Sequence, residues 1–185
     1  LYSLICSLKF SHHTALYKYM ILLSNDVNLN PGPNQIAHAN DTWTPFKKRG
    51  LHFIHLNVNS LLPKIDEIRY VAQNTNAAVI GITESKLDDS ILDSKIAINR
   101  YDVLRKDRNR KGGGVVFCIR QNICYSLKNI FPINIENIFV DIMLPKAKLF
   151  CVGIFYRPPL QNNFLEDIHL GFSKLSQEAK DIFVM

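Results

Sequence analysis

Two polar clusters, each at the end of an apolar run, have the residue types to handle a phosphate or a hard cation. His55-Leu56-Asn57-Val58-Asn59-Ser60 closes the apolar run 51–56, and Ile82-Thr83-Glu84-Ser85 closes the run 77–82. If both runs are strands joined by a helix, they tend to lie side by side, and ligands gather beyond the carboxyl ends of such strands. Asn57 and Glu84 could then meet. A carboxylate beside a neutral amide suits Mg²⁺, which takes oxygen ligands, keeps several waters and uses one or two protein carboxylates plus substrate phosphates. The competing reading makes Asn57 and Asn59 a turn leading into a helix, and Glu84 a solvated loop residue.

A second cluster, Arg105-Lys106-Asp107-Arg108-Asn109-Arg110-Lys111, sets five cations against one anion and precedes Gly112-Gly113-Gly114. Its local charge of +4 attracts phosphates at long range, and the glycines allow close backbone approach. No Lys-Ser or Lys-Thr follows the glycines, so this is not a Walker-type phosphate-binding loop, and a solvated loop is the alternative. Further on, Phe155-Tyr156-Arg157-Pro158-Pro159 ends a third apolar run. There Tyr156 offers a neutral donor and Arg157 a bidentate cation, although a tyrosine at a strand end also serves simply as packing. The pairs His12-His13 and His52/His55 lack the spacing or cysteine partners of a metal site.

The elements that must position these residues follow from periodicity. Ile65, Ile68 and Ala72 mark one face of a helix starting near Ser60 and Pro63, and the spans 101–105, 115–119 and 123–127 read as short strands. Ile138, Val140, Ile142 and Leu144 alternate as in a half-buried strand, and 149–156 forms another. Phe164, Ile168, Phe172 and Leu175 make a helical stripe ahead of a last strand at 181–185. Several strands follow one another directly, which predicts an α/β fold with mixed sheets.

Composition bounds the rest. The chain has 185 residues, is 47% hydrophobic and 21% charged, and carries a net charge of +6, values of an ordinary globular domain. No apolar run approaches the roughly 18–20 residues of a membrane span, so no membrane partner is expected. Cys6, Cys118, Cys124 and Cys151 are widely spaced, which fits a reducing, intracellular setting. Residues 1–49 read as leader and linker, and the compact domain as 50–185. Leu stands at position 1, and the final Asp-Ile-Phe-Val-Met reads as a strand stopping in mid-run, so a piece of a longer reading frame is expected.

Taken in order, Leu56-Asn57-Val58-Asn59-Ser60-Leu61, Thr83-Glu84-Ser85, the basic Gly-Gly-Gly strand and Phe155-Tyr156-Arg157-Pro158 resemble the endonuclease/exonuclease/phosphatase superfamily. The likeness is greatest to the apurinic-type endonuclease domain of non-LTR retrotransposons, and it runs from about Leu51 to Met185. It implies a DNase I-like four-layer α/β sandwich, two mixed sheets flanked by helices and incomplete at the C-terminus. It also implies phosphodiester hydrolysis with Mg²⁺ or Mn²⁺, DNA as partner, a reverse transcriptase domain in the parent polyprotein, and a nuclear location for the parent element. By matching motif, Glu84 would bind the metal. Asn57 would contact the phosphate and orient catalytic groups, and Tyr156 would stabilise charge in the transition state. Asn59, Arg105, Arg108, Arg110, Lys111 and Arg157 are the expected phosphate and nucleic-acid contacts. The family's later motifs, Asp-x-Asn and a C-terminal Asp-His pair, have no counterpart, so this fragment would hold half an active site and be inactive alone. The alternatives are a non-catalytic nucleic-acid-binding remnant and a phosphatase of the same superfamily acting on another substrate.

The segment Asp26-Val27-Asn28-Leu29-Asn30-Pro31-Gly32-Pro33 is similar to ribosome-skipping peptides of the 2A type, with Asn28 in place of their Glu. That resemblance implies a peptide bond left unformed between Gly32 and Pro33, because proline is a constrained nucleophile. A polar turn is the alternative.

Overall fold

In the computed structural model, residues 20–23, 50–158, 164–178 and 181–185 are described. The skipping-like segment lies outside them. Two sheets carry the architecture, in the chain order β1 (Met20–Leu23), β2 (His52–Asn57), α1 (Ile65–Asn74), β3 (Ala77–Thr83), α2 (Asp93–Ile96), β4 (Tyr101–Lys106), β5 (Val115–Arg120), β6 (Cys124–Lys128), β7 (Glu136–Met143), β8 (Phe150–Tyr156), α3 (Phe164–Gln177) and β9 (Asp181–Val184). The first sheet has the order β1-β2-β3-β5-β4 and the second β6-β7-β8-β9. Each is mixed, as expected: β1, β2 and β3 run parallel while β5 is antiparallel to β3 and β4, and β9 runs parallel to β8 in an otherwise antiparallel sheet.

Strand alternation sorts the side chains into three apolar layers. On β2, β3 and β5, Ile54, Leu56, Ile80, Ile82, Val116 and Cys118 face outward against Ile65, Ile68, Val71 and Ala72 of α1. The opposite faces supply Val79, Val115, Phe117 and Ile119, which meet Ile138, Val140, Ile142, Val152 and Ile154 of the second sheet. Phe139 and Cys151 then face outward to Leu175 and Phe172 of α3. The order helix, sheet, sheet, helix explains why all seven residues of β3 are buried: a central strand covered on both faces has no polar side to keep wet.

Local chemistry sets the helix that links β2 to β3. A 3₁₀ turn at Leu62–Lys64 carries Pro63 at its start, and Asp66 and Glu67 occupy the first turn of α1, where they oppose the positive end of the helix dipole. Thr75 ends α1 in an extended conformation, its hydroxyl donating to the Val71 carbonyl at 2.8 Å. Two elements go beyond the sequence reading. The four-residue α2 is too short to leave a periodic signal, and β1 pairs with the open edge of β2 from within the segment read as leader.

The β7/β8 pairing has a tight point on its outer face. A Cβ placed on Gly153 of β8 would overlap the ring of Phe139 across the hairpin. Gly153→Ala is therefore expected to lower unfolding free energy by about 1–3 kcal/mol in chemical denaturation, and Phe139→Leu in the same chain to recover part of the loss.

Candidate active site

The two polar clusters are joined first by backbone. Beyond the end of the β2/β3 ladder, Val58 N donates to Thr83 O at 3.1 Å, Ser60 N to Glu84 O at 2.8 Å and Leu61 N to Ser85 O at 2.9 Å. On the other side, Ser85 N donates to Gly114 O at 3.2 Å and Lys86 N to Gly113 O at 3.0 Å. The segment 84–86 is thus held between the β2–α1 loop and the glycine segment. Left-handed backbone recurs here at residues with side chains: φ is 45° at Asn59, 94° at Ser60, 55° at Glu84 and 51° at Lys86. Such conformations cost free energy and persist where surrounding bonds fix them. Gly113 and Gly114, with φ of 73° and 83°, make the close approach possible, since a Cβ on Gly114 would sit 2.5 Å from Ser85 Oγ.

The side chains then converge. Asn57 Nδ2 donates to Glu84 Oε1 at 3.2 Å, and the Tyr156 hydroxyl donates to the same oxygen at 3.3 Å. Asn57 leaves the first sheet and Tyr156 the second, so one carboxylate oxygen ties the rims of both sheets together. Burial raises the Tyr156 pKa, and the negative charges of Glu84 and Glu136 raise it further against a smaller opposing effect of Arg108. The phenol accordingly remains a protonated donor at neutral pH. Among the described residues Glu84 Oε2 accepts no hydrogen bond, and no group of three or more His, Cys, Asp or Glu side chains is placed to hold a metal ion. The donor set of Glu84 carboxylate and Asn57 amide is therefore all oxygen and sparse. It fits a hydrated Mg²⁺ or Mn²⁺ completed by water and phosphate rather than a closed protein cage.

The remaining candidates divide. Asn59 Oδ1 accepts from Lys86 Nζ at the same rim. Arg110 and Lys111 are exposed, at a turn where Asn109 Oδ1 accepts from Lys111 N at 2.9 Å and Gly112 N at 3.2 Å. Arg108 lies 3.4 Å from the Glu136 carboxylate, and the Arg157 guanidinium sits 5.4 Å from the centre of the Phe164 ring. Arg105 is placed differently from the rest of its run. Its guanidinium bonds Asp107, Asp93 and the carbonyls of Asp88 and Ile91, so its donors are committed to holding 88–93 against β4 rather than presented to a ligand. A charge count cannot show that, because it weighs every cation in a run alike.

Two residues that the sequence reading left out, Lys86 and Glu136, belong to this rim, as does His55, which it placed in the first polar cluster without a role. Lys86 brings a cation to Asn59. Glu136 is a 7% exposed carboxylate that opposes Tyr156 across the β7/β8 ladder, a register no periodicity reveals. His55 lies two residues before Asn57 on the same strand face, with Nε2 3.3 Å from Thr83 Oγ1. Burial pushes its imidazole down to about 4 from the usual 6.5, so it is neutral at pH 7. Between pH 6.5 and about 4 the unfolded chain binds this proton and the folded chain does not, so His55 makes stability fall as pH drops through that window. Urea unfolding is expected to show up to ~1.4 kcal/mol per pH unit of such slope, absent in His55→Leu.

Comparison with known proteins bears on the fold. No family model matches the sequence, and no curated protein matches it. Among solved structures the chain is similar to the catalytic domain of Xenopus laevis APE2, with 11% identity and a TM-score of 0.54, over 71% of this chain and 56% of that one. It also matches the catalytic domain of human Nocturnin with bound sulfate (14% identity, TM-score 0.45, 65% of this chain and 52% of that one). An AP endonuclease from Archaeoglobus fulgidus matches at 13% identity and a TM-score of 0.39, over 67% of this chain and 48% of that one. The chain spans about half the length of these structures. The two mixed sheets, their flanking helices and the likeness to the APE2 domain establish a DNase I-like α/β fold for the described part of this chain.

Proposed function

We propose that this chain carries the phosphate-handling half of a divalent-metal-dependent phosphodiesterase that nicks DNA, as part of a longer protein of the non-LTR retrotransposon type. The observation that carries the proposal is the double hydrogen bond on Glu84 Oε1, from Asn57 of one sheet and Tyr156 of the other. That arrangement fixes the carboxylate and leaves Oε2 for a metal. When bound, Mg²⁺ or Mn²⁺ would polarise a phosphoryl oxygen and offset charge on the leaving oxygen. The chain's own residues do the rest. Asn57 orients Glu84 and offers an amide to the phosphate, while the protonated Tyr156 hydroxyl supplies a donor for developing negative charge. Arg108, Arg110 and Lys111, at the tip of the basic segment, supply long-range attraction for a phosphate backbone. The ordered motifs in the sequence support the retrotransposon setting, the reverse transcriptase partner and the nuclear location.

A second reading, a nucleic-acid-binding module without turnover, is favoured by the absence, among the described residues, of any group of three or more His, Cys, Asp or Glu side chains placed to hold a metal ion. Plasmid nicking by the longer protein that supplies the later Asp-x-Asn and Asp-His motifs separates the two, since this chain alone is expected not to turn over. Mg²⁺-dependent nicking that Glu84→Gln reduces by several kcal/mol of barrier supports catalysis. In that case Tyr156→Phe should slow the reaction roughly 100-fold with little change in binding. DNA binding without nicking, retained in Glu84→Gln, supports the module.

The basic tip makes its own prediction. Arg110→Gln with Lys111→Gln should weaken DNA binding about equally across sequences and flatten the salt dependence by roughly one unit of slope per lost phosphate contact. Fluorescence anisotropy at several salt concentrations measures it, and an unchanged slope removes the tip from the interface.

A further inference from the structure

We infer that Glu136 is a positioning residue for Glu84, a buried carboxylate that connects the glycine segment and the tyrosine strand to the metal-facing side chain. Two routes lead from it to the same residue. Along the first, Glu136 Oε2 accepts from Gly114 N, and Gly114 O and Gly113 O accept from Ser85 N and Lys86 N, the two residues that follow Glu84. Along the second, Glu136 is the cross-strand partner of Tyr156, whose hydroxyl donates to Glu84 Oε1. The close packing around Glu136 leaves it little choice of rotamer, since a Cβ on Gly113 would stand 2.6 Å from Oε2. Its other oxygen faces Arg108 Nη1 at 3.4 Å, and the Lys106 ammonium, which donates to the neighbouring Ile135 carbonyl at 2.6 Å, adds positive charge nearby. These partners use the carboxylate within the fold. Glu136 therefore acts through Glu84 and is not itself a metal ligand.

The arrangement explains why the left-handed backbone at Glu84 and Lys86 is kept. A carboxylate taking a backbone N–H makes a charge-assisted bond, stronger than the neutral bonds of the surrounding ladder. It pins the glycine segment, and the glycine segment pins the loop that carries Glu84. The inference rests on the phosphodiesterase reading for the purpose of this positioning, and its test does not use turnover.

The test is NMR on the folded chain with Mn²⁺ as probe. Glu136→Gln keeps the shape and one acceptor for Gly114 N but loses the charge, and Glu136→Ala loses both. The backbone amide signals of Ser85 and Lys86 should shift in both variants, more in Ala than in Gln. Mn²⁺ binding at Glu84, read from paramagnetic broadening, should weaken roughly tenfold in Ala, with partial recovery in Gln. Leu175→Ala, a cavity between α3 and the outer face of the second sheet, controls for lost stability and should leave Mn²⁺ affinity unchanged. If Glu136→Ala does not fold, Glu136→Gln decides. Unmoved Ser85 and Lys86 amides, or an Mn²⁺ affinity that Leu175→Ala weakens as much, would overturn the inference. If the unaltered chain shows no Mn²⁺ broadening at Glu84, the metal reading fails, and the two amide shifts still decide the connection from Glu136.

Discussion

One carboxylate oxygen depends on both sheets at once. Asn57 reaches Glu84 from beside it in the first sheet, and Tyr156 reaches it from the end of β8 in the second. No single strand or helix could create that junction, so the site exists only when the apolar layer between the sheets holds them in register. Val79, Phe117, Val140, Val152 and Ile154 in that layer are 0% exposed. A change in their packing would alter the distance from Tyr156 to Glu84 before it altered anything at the surface.

Around that junction the chain concentrates backbone conformations that residues with side chains rarely take. Four of the six left-handed residues with side chains among the described residues lie at the rim, at Asn59, Ser60, Glu84 and Lys86. Ser60, Glu84 and Lys86 are held there by inter-loop backbone bonds, the pattern in which local strain accompanies a functional site. The electrostatics agree with the geometry. Burial and two nearby carboxylates keep the Tyr156 phenol protonated, and burial keeps the His55 imidazole neutral. The rim thus combines the protonated Tyr156 donor and the Glu84 carboxylate with the Lys86 cation on Asn59, while Arg110 and Lys111 stand exposed on the separate basic turn.

Much of this was legible in the sequence because it is written locally. The two-sided burial of β3 and β5 appears as unbroken apolar runs, whereas the period-two pattern of 138–144, which reads as half-buried, belongs to a strand covered on both faces, since Phe139 and Asp141 are buried beneath the outer helix layer. The meeting of Asn57 with Glu84 follows from a strand-helix-strand unit. Tyr156 joined them by resemblance, since nothing in its own neighbourhood says which sheet it faces. What stayed hidden depends on register and on partners distant in sequence. Glu136 becomes part of the rim through its pairing with Tyr156, and Arg105 leaves the cationic surface through bonds to 88–93.

The central claim is that Glu84 presents a fixed carboxylate to a divalent ion at the junction of the two sheets. The most direct measurement is an anomalous difference map from crystals of the chain soaked in Mn²⁺. The account predicts a peak within bonding distance of a Glu84 carboxylate oxygen, beside Asn57 and Tyr156, with water completing the coordination. A map with no peak at Glu84, or with Mn²⁺ bound only to carboxylates away from that rim, would contradict it.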